Sequence, residues 1–371
     1  MIFVLLFLAL VLVGIGFYLY FFLRRTLSAF GVDVKKRPIL IALITVSVLM
    51  ALSSLAFSGF VLIVYLHVIA ASLLCRLIHF IVCKCAGKKR TLSGWQKVYK
   101  SGVIPVLLAA LLLVGGVVNL YTVNPTYYTV STDKDIRQQG YRIALVADVH
   151  FGVSLDEEAL LQKCDEISQS KPDLVVLCGD IVDNDTTVEE MYRVFAALGT
   201  IESKLGIYYV YGNHDRSMSM LASDFSDQEL NEVIASNGIT VLQDDVVPIA
   251  DDLVIVGRED RSRDGRAELS KLFEEVNKDA FVLTLDHQPN EYKENGACGT
   301  DLLLSGHTHG GQIFPINYVQ ELIPFNDGVY GMYTLSNGGK AIVTSGFGTW
   351  SYPSKTAGKS EYVIIDVTST K

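Results

Sequence analysis

The sequence predicts an α/β domain that follows a bundle of about four transmembrane helices. Half of the 371 residues are hydrophobic, and the long uncharged stretches lie almost entirely before residue 121. Beyond that position, short apolar runs alternate with segments that carry helix start signals, a pattern typical of layered α/β domains. We therefore expect a transmembrane anchor at 1–121, a linker at 122–141 and a folded domain at 142–371.

Charge divides the chain at the same place. Residues 1–120 contain twelve Lys and Arg but one acidic residue, Asp33. Subtracting these from 31 basic and 40 acidic residues leaves 19 basic against 39 acidic residues in the remainder. Because nucleic acid needs a basic surface, a part this acidic is not expected to bind it. The six cysteines include no CxxC pair and are expected to be buried or free thiols.

The apolar region is interpreted as four membrane spans, at about 2–23, 38–57, 60–82 and 102–121. Spans of this kind need roughly 20 apolar residues to cross the hydrocarbon core. The uncharged stretch from 38 to 75 would be about 57 Å long as a single helix, so it is better divided into two spans.

The basic loops favour four spans over three. The loops at 24–37 and 84–100 carry most of the positive charge of this region. With four spans both loops lie on the same side, as the positive-inside rule requires, whereas three spans would place them on opposite sides. The expected protein is therefore a multi-pass protein of the cell membrane, with its folded domain on the extracytoplasmic side.

Five apolar runs of the second part end in polar residues. They are "RIALVADVH" (142–150), "DLVVLCGD" (173–180), "IYYVYGNHD" (207–215), "FVLTLDHQP" (281–289) and "DLLLSGHTH" (301–309). Branched residues without alternation predict strands buried on both faces. A run at 253–257 fits the same sheet, "NGG" predicts a late hairpin, and "EYVIIDV" predicts a final strand. Capping boxes predict helices after Ser154, Thr186 and Ser226.

The polar residues at the ends of these strands are the candidate site. They are Asp148, His150, Asp180, Asn213, His214, Asp215, His287, His307 and His309. Loops at the carboxyl ends of strands converge on one edge of a sheet, where ligand sites are built. In an extended segment alternate residues point the same way, so His307 and His309 would present two ligands to one side. The glycines around them leave room and permit unusual backbone angles.

The order D-x-H, G-D, G-N-H-D, a lone His and G-H-x-H, over about 142–315, resembles the calcineurin-like metallophosphoesterase superfamily. The longer form "GHTHGGQI", with "DHQP" about twenty residues earlier, resembles the membrane-associated bacterial branch, which is similar to the UDP-2,3-diacylglucosamine pyrophosphatase-like enzymes. The resemblance implies a four-layer αββα sandwich and a metal-dependent hydrolase that acts on phosphoester bonds.

Residue by residue, the resemblance implies a dinuclear centre of Mn, Fe or Zn. One metal would be held by Asp148, His150, Asp180 and His309. The second would be held by Asp180, Asn213, His287 and His307, with Asp180 bridging the two. A hydroxide between the metals would attack phosphorus. His214 would protonate or stabilise the leaving oxygen, and Asp215 would orient its imidazole.

The expected function is hydrolysis of a phosphoester or pyrophosphate bond, in an envelope lipid or another membrane-proximal substrate. The alternative is a non-enzymatic membrane receptor or scaffold that binds a phosphorylated ligand through the same site. Two features stay open. Phe347, Trp350 and Tyr352 could form a pocket wall, touch the membrane or pack in the core. The four residues Arg258, Arg261, Arg263 and Arg266 could bind a second phosphate or an anionic headgroup, or they could belong to a solvated charged loop.

Overall fold

A computed structural model describes residues 2–55, 60–86, 98–152, 155–216, 224–323 and 325–371. The chain divides into two compact units, Met1–Gly115 and Gly116–Lys371. The boundary lies inside an apolar helix that ends at Tyr121. The two units are described separately.

The first part of the chain is helical. Its helices are α1 (Ile2–Ala29), α2 (Arg37–Ser53), α3 (Phe60–Ala86) and α4 (Val103–Tyr121). By length and composition, three helices in the described residues can cross a membrane, at Ala9–Ala29, Phe60–Cys85 and Val103–Tyr121. Helix α2 has 17 residues and is shorter. Large apolar side chains such as Leu10 and Leu111 are exposed, at 72% and 69%, which is typical of a surface that faces lipid rather than water.

The second unit is built from strands and short helices. Its strands are β1 (Asn124–Thr132), β2 (Tyr141–Val146), β3 (Leu174–Cys178), β4 (Ile207–Val210), β5 (Ile239–Leu242), β6 (Asp245–Ala250), β7 (Leu253–Gly257), β8 (Phe281–Leu285), β9 (Leu302–Ser305), β10 (Gly331–Thr334), β11 (Lys340–Val343) and β12 (Glu361–Ser369). Its helices are α5 (Glu157–Gln169), α6 (Val188–Leu198), α7 (Asp227–Ser236), α8 (Leu269–Leu272), α9 (Tyr292–Cys298) and α10 (Ile316–Leu322).

These strands form two six-stranded sheets. The first has the order β1-β12-β2-β3-β4-β5, and the second has the order β10-β11-β9-β8-β7-β6. Strands β2 to β5 are parallel to one another, as are β7, β8, β9 and β11. Parallel strands buried on both faces explain the apolar runs without alternation.

Apolar cores separate four layers. Helices α5, α6 and α7 pack on the first sheet through residues such as Leu160, Phe195 and Ile234. The central core joins both sheets, with Leu145 and Leu283 among its members. A smaller core places residues around α8 against the second sheet. The αββα sandwich implied by the resemblance is therefore confirmed.

The structure corrects three details of the sequence interpretation. The segment 122–141, expected to be a linker, contains strand β1, which pairs in parallel with β12. The ligand-bearing strands belong to two sheets rather than one. Helix α6 begins one residue later than expected, because Thr187 and Glu190 form its capping box. The Ser226 cap of α7 is confirmed. Helix α5 is capped by Asp156, and Ser154, the expected cap, lies outside the described residues.

Candidate metal centre

The expected ligands lie in loops that follow strands of both sheets. These loops follow β2, β3 and β4 in the first sheet and β8 and β9 in the second. In chain order they carry Asp148 and His150, Asp180, Asn213, His287, and His307 with His309. The centre therefore lies where the carboxyl ends of two packed sheets meet.

The ligand loops turn sharply instead of continuing the strands. Five residues of the candidate site have positive φ although they carry side chains: Asp148 (52°), His150 (42°), Asp180 (53°), His307 (73°) and His309 (50°). This conformation is unfavourable for such residues and is concentrated at functional sites. The expectation of extended segments with alternating ligands is therefore wrong, and the sharp turns send neighbouring ligands to different places.

Six of the seven expected ligands fall into two groups. Asp148, His150 and His309 form one group, and Asp180, His287 and His307 form the other. In each group the potential ligand atoms lie within 4.8 Å of one another. His307 and His309 are thus separated by the turn between them, and each joins a histidine from another loop. Their rings lie 5.2 Å from His287 and 5.1 Å from His150, respectively, between centroids.

Asp180 lies between the two groups. Its Oδ2 atom is 3.7 Å from Nε2 of His150 and 3.1 Å from Nε2 of His287. Its Oδ1 atom accepts a hydrogen bond from the backbone N–H of His214 at 2.8 Å. One carboxylate oxygen therefore faces imidazoles from both groups, as a bridging ligand must.

Two glycines allow the loops to approach this closely. A Cβ atom on Gly212 would lie 2.2 Å from Oδ1 of Asp180, and one on Gly306 would lie 2.5 Å from Oδ2 of Asp148. Any side chain at either position would displace a carboxylate of the centre. The glycines of "GNHD" and "GHTH" are therefore needed because the adjacent carboxylates leave no room for a side chain.

The donor set fits divalent cations. Buried atoms that have no hydrogen-bond partner converge here: His150 Nε2, His287 Nε2, His309 Nδ1 and Asn213 Oδ1. A buried polar atom without a partner is costly, so nitrogen and oxygen lone pairs that converge without donors indicate a bound cation. Imidazole, carboxylate and amide ligands without thiolate suit first-row transition metals.

Partners on the opposite side of the rings fix the histidine tautomers. Nδ1 of His287 is 2.8 Å from the carbonyl oxygen of Cys178, and Nδ1 of His150 is 3.0 Å from Oδ2 of Asp183. Each of these nitrogens must carry the proton because each partner only accepts. In the neutral imidazoles the Nε2 lone pair is left facing Asp180. Such outer partners are the usual means of orienting metal-binding histidines.

Burial also keeps two of the imidazoles neutral. It lowers the pKa of His307 to about 4, and it lowers the pKa of His309 well below its ordinary value. Burial raises the pKa of the Asp148 carboxyl to about 6, and the charge of Asp180 adds to this effect. Neutral imidazoles are the form that binds metal. The buried carboxylates, for their part, favour a compensating cation.

His214 lies beside the two groups and lines the adjoining cavity. Its Nδ1 atom is 3.2 Å from Oδ1 of Asp183. Burial lowers the pKa of His214, but the hydrogen bond with Asp183 and the charges of Asp180 and Asp183 outweigh it, so the net pKa is raised. The ring is therefore arranged to hold a proton, with Nε2 as its other nitrogen.

The expected pairing of Asp215 with His214 is wrong. The Asp215 carboxylate instead accepts hydrogen bonds from four backbone N–H groups, those of Asp180, Ile181, Val182 and Gly212. It therefore braces two ligand loops against each other. Sequence reasoning missed Asp183, which contacts both His150 and His214. Its signal was an acidic residue three positions after Asp180 in the same loop.

A cavity of about 500 Å³ opens beside the centre. Among its lining residues are Asp180, Asn213, His214, Gln312, Trp350 and Tyr352. The Trp350 ring lies 5.4 Å from the His214 ring, between centroids. Trp350 and Tyr352 thus form a pocket wall, whereas Phe347 is buried in the core.

Neither interpretation of the four arginines holds for Arg258 and Arg266. Arg258 is buried, the side chain of Arg266 is 9% exposed, and both residues line a separate cavity of about 530 Å³. Arg266 donates a hydrogen bond to Asp286 and is 3.1 Å from Glu291, and Nε of Arg258 is 3.3 Å from Asp244. Because acidic residues already surround these guanidinium groups, they are neither solvated nor available for a second phosphate.

Comparison with known families matches residues 141–311 to the calcineurin-like phosphoesterase model. The chain contains a calcineurin-like phosphoesterase domain. The matched range holds every expected ligand, so the phosphoesterase domain is that of a metal-dependent enzyme.

Curated relatives of the phosphoesterase domain carry matching names. A metallophosphoesterase of Campylobacter jejuni is 25% identical over 271 residues, covering 72% of this chain and 70% of the relative. A Danio rerio transmembrane protein with a metallophosphoesterase domain is 27% identical over 284 residues, covering 72% of this chain and 62% of the relative. The match thus covers less than two thirds of the second protein. These names specify no substrate, so the similarity to UDP-2,3-diacylglucosamine pyrophosphatase-like enzymes stays a prediction.

Solved structures give more distant likenesses. A Danio rerio dimetal phosphatase has 13% identity and a TM-score of 0.35, covering 55% of this chain and 87% of the other. A Thermus thermophilus protein has 14% identity and a TM-score of 0.38, covering 55% and 88%. The assignment of the phosphoesterase domain comes from the sequence comparisons.

Proposed function

We propose that the chain is a membrane-anchored phosphoesterase that binds two divalent metal ions and hydrolyses a phosphoester or pyrophosphate bond of a membrane-proximal substrate. One observation carries the proposal. Two groups of imidazole and carboxylate ligands meet at Asp180, which belongs to one group and lies 3.7 Å from His150 of the other. Buried atoms of His150, His287 and Asn213 converge there without hydrogen-bond partners. A module that only binds its ligand would not need this arrangement together with a histidine whose pKa is raised beside it.

Each ligand has an assigned place in the proposal. Asp148, His150, Asp180 and His309 hold one metal, and Asp180, Asn213, His287 and His307 hold the other. Bound divalent cations would acidify water and neutralise the charge on phosphoryl oxygens. Mn, Fe and Zn all suit this donor set.

The remaining chemistry belongs to His214. Its Nδ1 is held by Asp183, so Nε2 can give a proton to the oxygen that leaves phosphorus, as a general acid does. Despite burial, which lowers it, the hydrogen bond with Asp183 and the charges of Asp180 and Asp183 raise the pKa of His214, which favours the form that holds this proton. Asp215 contributes by bracing the loops that carry Asp180 and Asn213, rather than by touching the substrate.

The proposed topology has four spans, with the phosphoesterase domain on the extracytoplasmic side. Helix α2, with 17 residues, is about 26 Å long, close to the thickness of the hydrocarbon core. Four spans keep both basic loops in the cytoplasm. A cysteine placed at Lys35 should be labelled by an impermeant reagent only after the membrane is opened. Labelling in intact cells would show that the protein has the opposite orientation in the membrane. It would not contradict the catalytic proposal.

The catalytic proposal is tested with the full chain in detergent. After treatment with a chelator, turnover of bis-p-nitrophenyl phosphate should disappear, and added Mn²⁺ should restore it. The receptor alternative predicts a different result: a phosphorylated ligand binds, and no metal produces turnover.

A further inference from the structure

Helix α10 exposes apolar side chains and partly buries polar ones, the reverse of the usual amphipathic pattern. Its polar residues Asn317 and Gln320 are half-buried, and Gln320 lines the catalytic cavity. Its apolar residues are exposed instead: Tyr318 is 54% exposed, Val319 47% and Leu322 81%. At about 100° per residue, these three side chains share the face opposite Asn317 and Gln320. A helix in water is expected to show the reverse pattern.

The apolar surface continues past the helix. Ile323 is 46% exposed and Phe325 is 72% exposed, and the next residue, Asn326, lines the catalytic cavity. We call the exposed side chains of 316–325 the apolar rim. Its members are Ile316, Tyr318, Val319, Leu322, Ile323 and Phe325. The charged residue of the helix, Glu321, falls on the flank of this surface rather than at its centre.

The apolar rim and the catalytic cavity are continuous. Ile316 belongs to both, since it is 37% exposed and lines the cavity. Ile313 and Trp350 extend the apolar wall inward towards His214. Among the described residues that line this cavity there is no Lys or Arg. Beyond the metal centre, the cavity therefore suits an uncharged or apolar group rather than a second phosphate.

We propose that the apolar rim inserts into the interface of a lipid bilayer and that the cavity beside it takes the phosphorylated headgroup of a lipid from that bilayer. This rests on the proposed phosphoesterase function and names its substrate class. Exposed contiguous apolar surface marks an interaction site. Aromatic residues such as Tyr318 and Phe325 are typical of the membrane–water interface.

The chain carries its own candidate membrane anchor. Three helices in the described part of the chain are long and apolar enough to cross a membrane, and only Thr122 and Val123 separate α4 from strand β1. The first strand of the domain therefore follows almost directly in the chain after a helix that can cross a membrane. We therefore assign the apolar rim to a lipid surface, because a membrane-anchored chain always lies beside lipid, whereas a soluble partner would first have to diffuse to it.

The first test measures insertion with the full chain in nanodiscs. Tryptophan placed at Leu322 should be quenched by brominated phosphatidylcholine, whereas tryptophan at Leu161, which is 40% exposed on α5, should not be quenched. Equal quenching at both positions would overturn the proposal. So would loss of a dimer on changing Leu322→Gln, because the apolar rim would then join two copies of the chain.

The second test compares p-nitrophenyl phosphodiesters with a methyl or a long alkyl group, which share the same reacting bond. The parent in nanodiscs should turn over the long-chain ester at least about tenfold faster. The double change Leu322→Gln and Phe325→Gln should remove this preference and leave turnover of the methyl ester within about twofold. The control changes Leu161→Gln and Tyr192→Gln should leave the preference intact.

The outcomes separate the two proposals. If the parent hydrolyses neither ester in the presence of Mn²⁺, the phosphoesterase function itself fails. If it hydrolyses both at equal rates, or if the apolar-rim changes lower both rates equally, the function stands and the lipid substrate is contradicted.

Discussion

Two clusters of buried charge in the phosphoesterase domain are built in opposite ways. Around Arg258 and Arg266, each guanidinium group has carboxylates within 3.6 Å, so the cluster balances its own charge. At the metal centre, potential ligand atoms from different loops face one another, as where Nε2 of His287 lies 3.1 Å from Oδ2 of Asp180. Burial and charge are common to both clusters. What distinguishes a ligand site is a surplus of convergent lone pairs that the protein leaves without donors.

The largest effect is expected from removing the proton donor without touching the ligands. His214→Gln should lower turnover by about 10²–10⁴-fold, the usual contribution of a general acid. The loss should be greater for a phenyl than for a p-nitrophenyl ester, because the better leaving group needs less help. Steady-state kinetics on both esters check this, with metal content as the control. A loss of metal equal to the loss of turnover would make His214 a ligand instead.

The self-balanced cluster should respond through stability. Arg266→Met leaves Asp286 buried without its partner, and breaking such a pair costs about 3–5 kcal/mol. The free energy of unfolding of the full chain in detergent should fall accordingly. Turnover by metal-loaded protein should change little at low temperature. Lost turnover with unchanged stability would show that the arginine cluster takes part in catalysis.

A smaller effect on metal affinity and turnover is expected from changing Asp183, which contacts both the ligand His150 and His214. Asp183→Asn replaces an acceptor shared by His150 and His214, and changes to such outer partners cost about 10–100-fold in metal affinity or activity. Metal titration and turnover should both weaken. A different outcome would contradict this assignment: Asp183→Asn behaves like the parent, while Asp215→Asn loses turnover and keeps its metal. That outcome would support the predicted pairing of Asp215 with His214 instead.

The effect of metal on thermal stability should also distinguish the metal centre from the arginine cluster. At a concentration about a hundredfold above its dissociation constant, a metal that binds only the folded state adds about 2.7 kcal/mol. Mn²⁺ should therefore raise the melting temperature of the parent and of Arg266→Met by similar amounts. An equal rise in an Asp180→Asn variant would place the stabilising ion elsewhere.

The sequence predicted much of the centre because its residues are tied to strand ends. Asp148, Asp180 and His287 each lie within two residues of the end of a largely apolar run, which marks both the strand and the loop behind it. Which histidine joins which group was not readable from spacing. That division depends on positive φ at His307 and His309, a conformation that residue type alone does not reveal.

Other features depended on tertiary contacts. Asp183 and Asp215 are both acidic residues close to a ligand, and the turn at Asp180 decides which of them reaches His214. Strand β1 looked like a linker because its outer face stays partly exposed even though it pairs with β12, with Tyr127 at 67%. The inverted pattern of α10 could not be predicted, since apolar residues at helical spacing are ordinarily taken as core.

The most direct test of the account is the metal content and turnover of the full chain in detergent, comparing the parent with Asp180→Asn. Metal is counted by mass spectrometry, and turnover is measured with bis-p-nitrophenyl phosphate and Mn²⁺. The account predicts two metal ions per chain in the parent. It also predicts a collapse of turnover in the variant, because Asp180 faces both groups of ligands. A well-folded parent that binds no metal, or a variant that keeps both metals and full turnover, would contradict it.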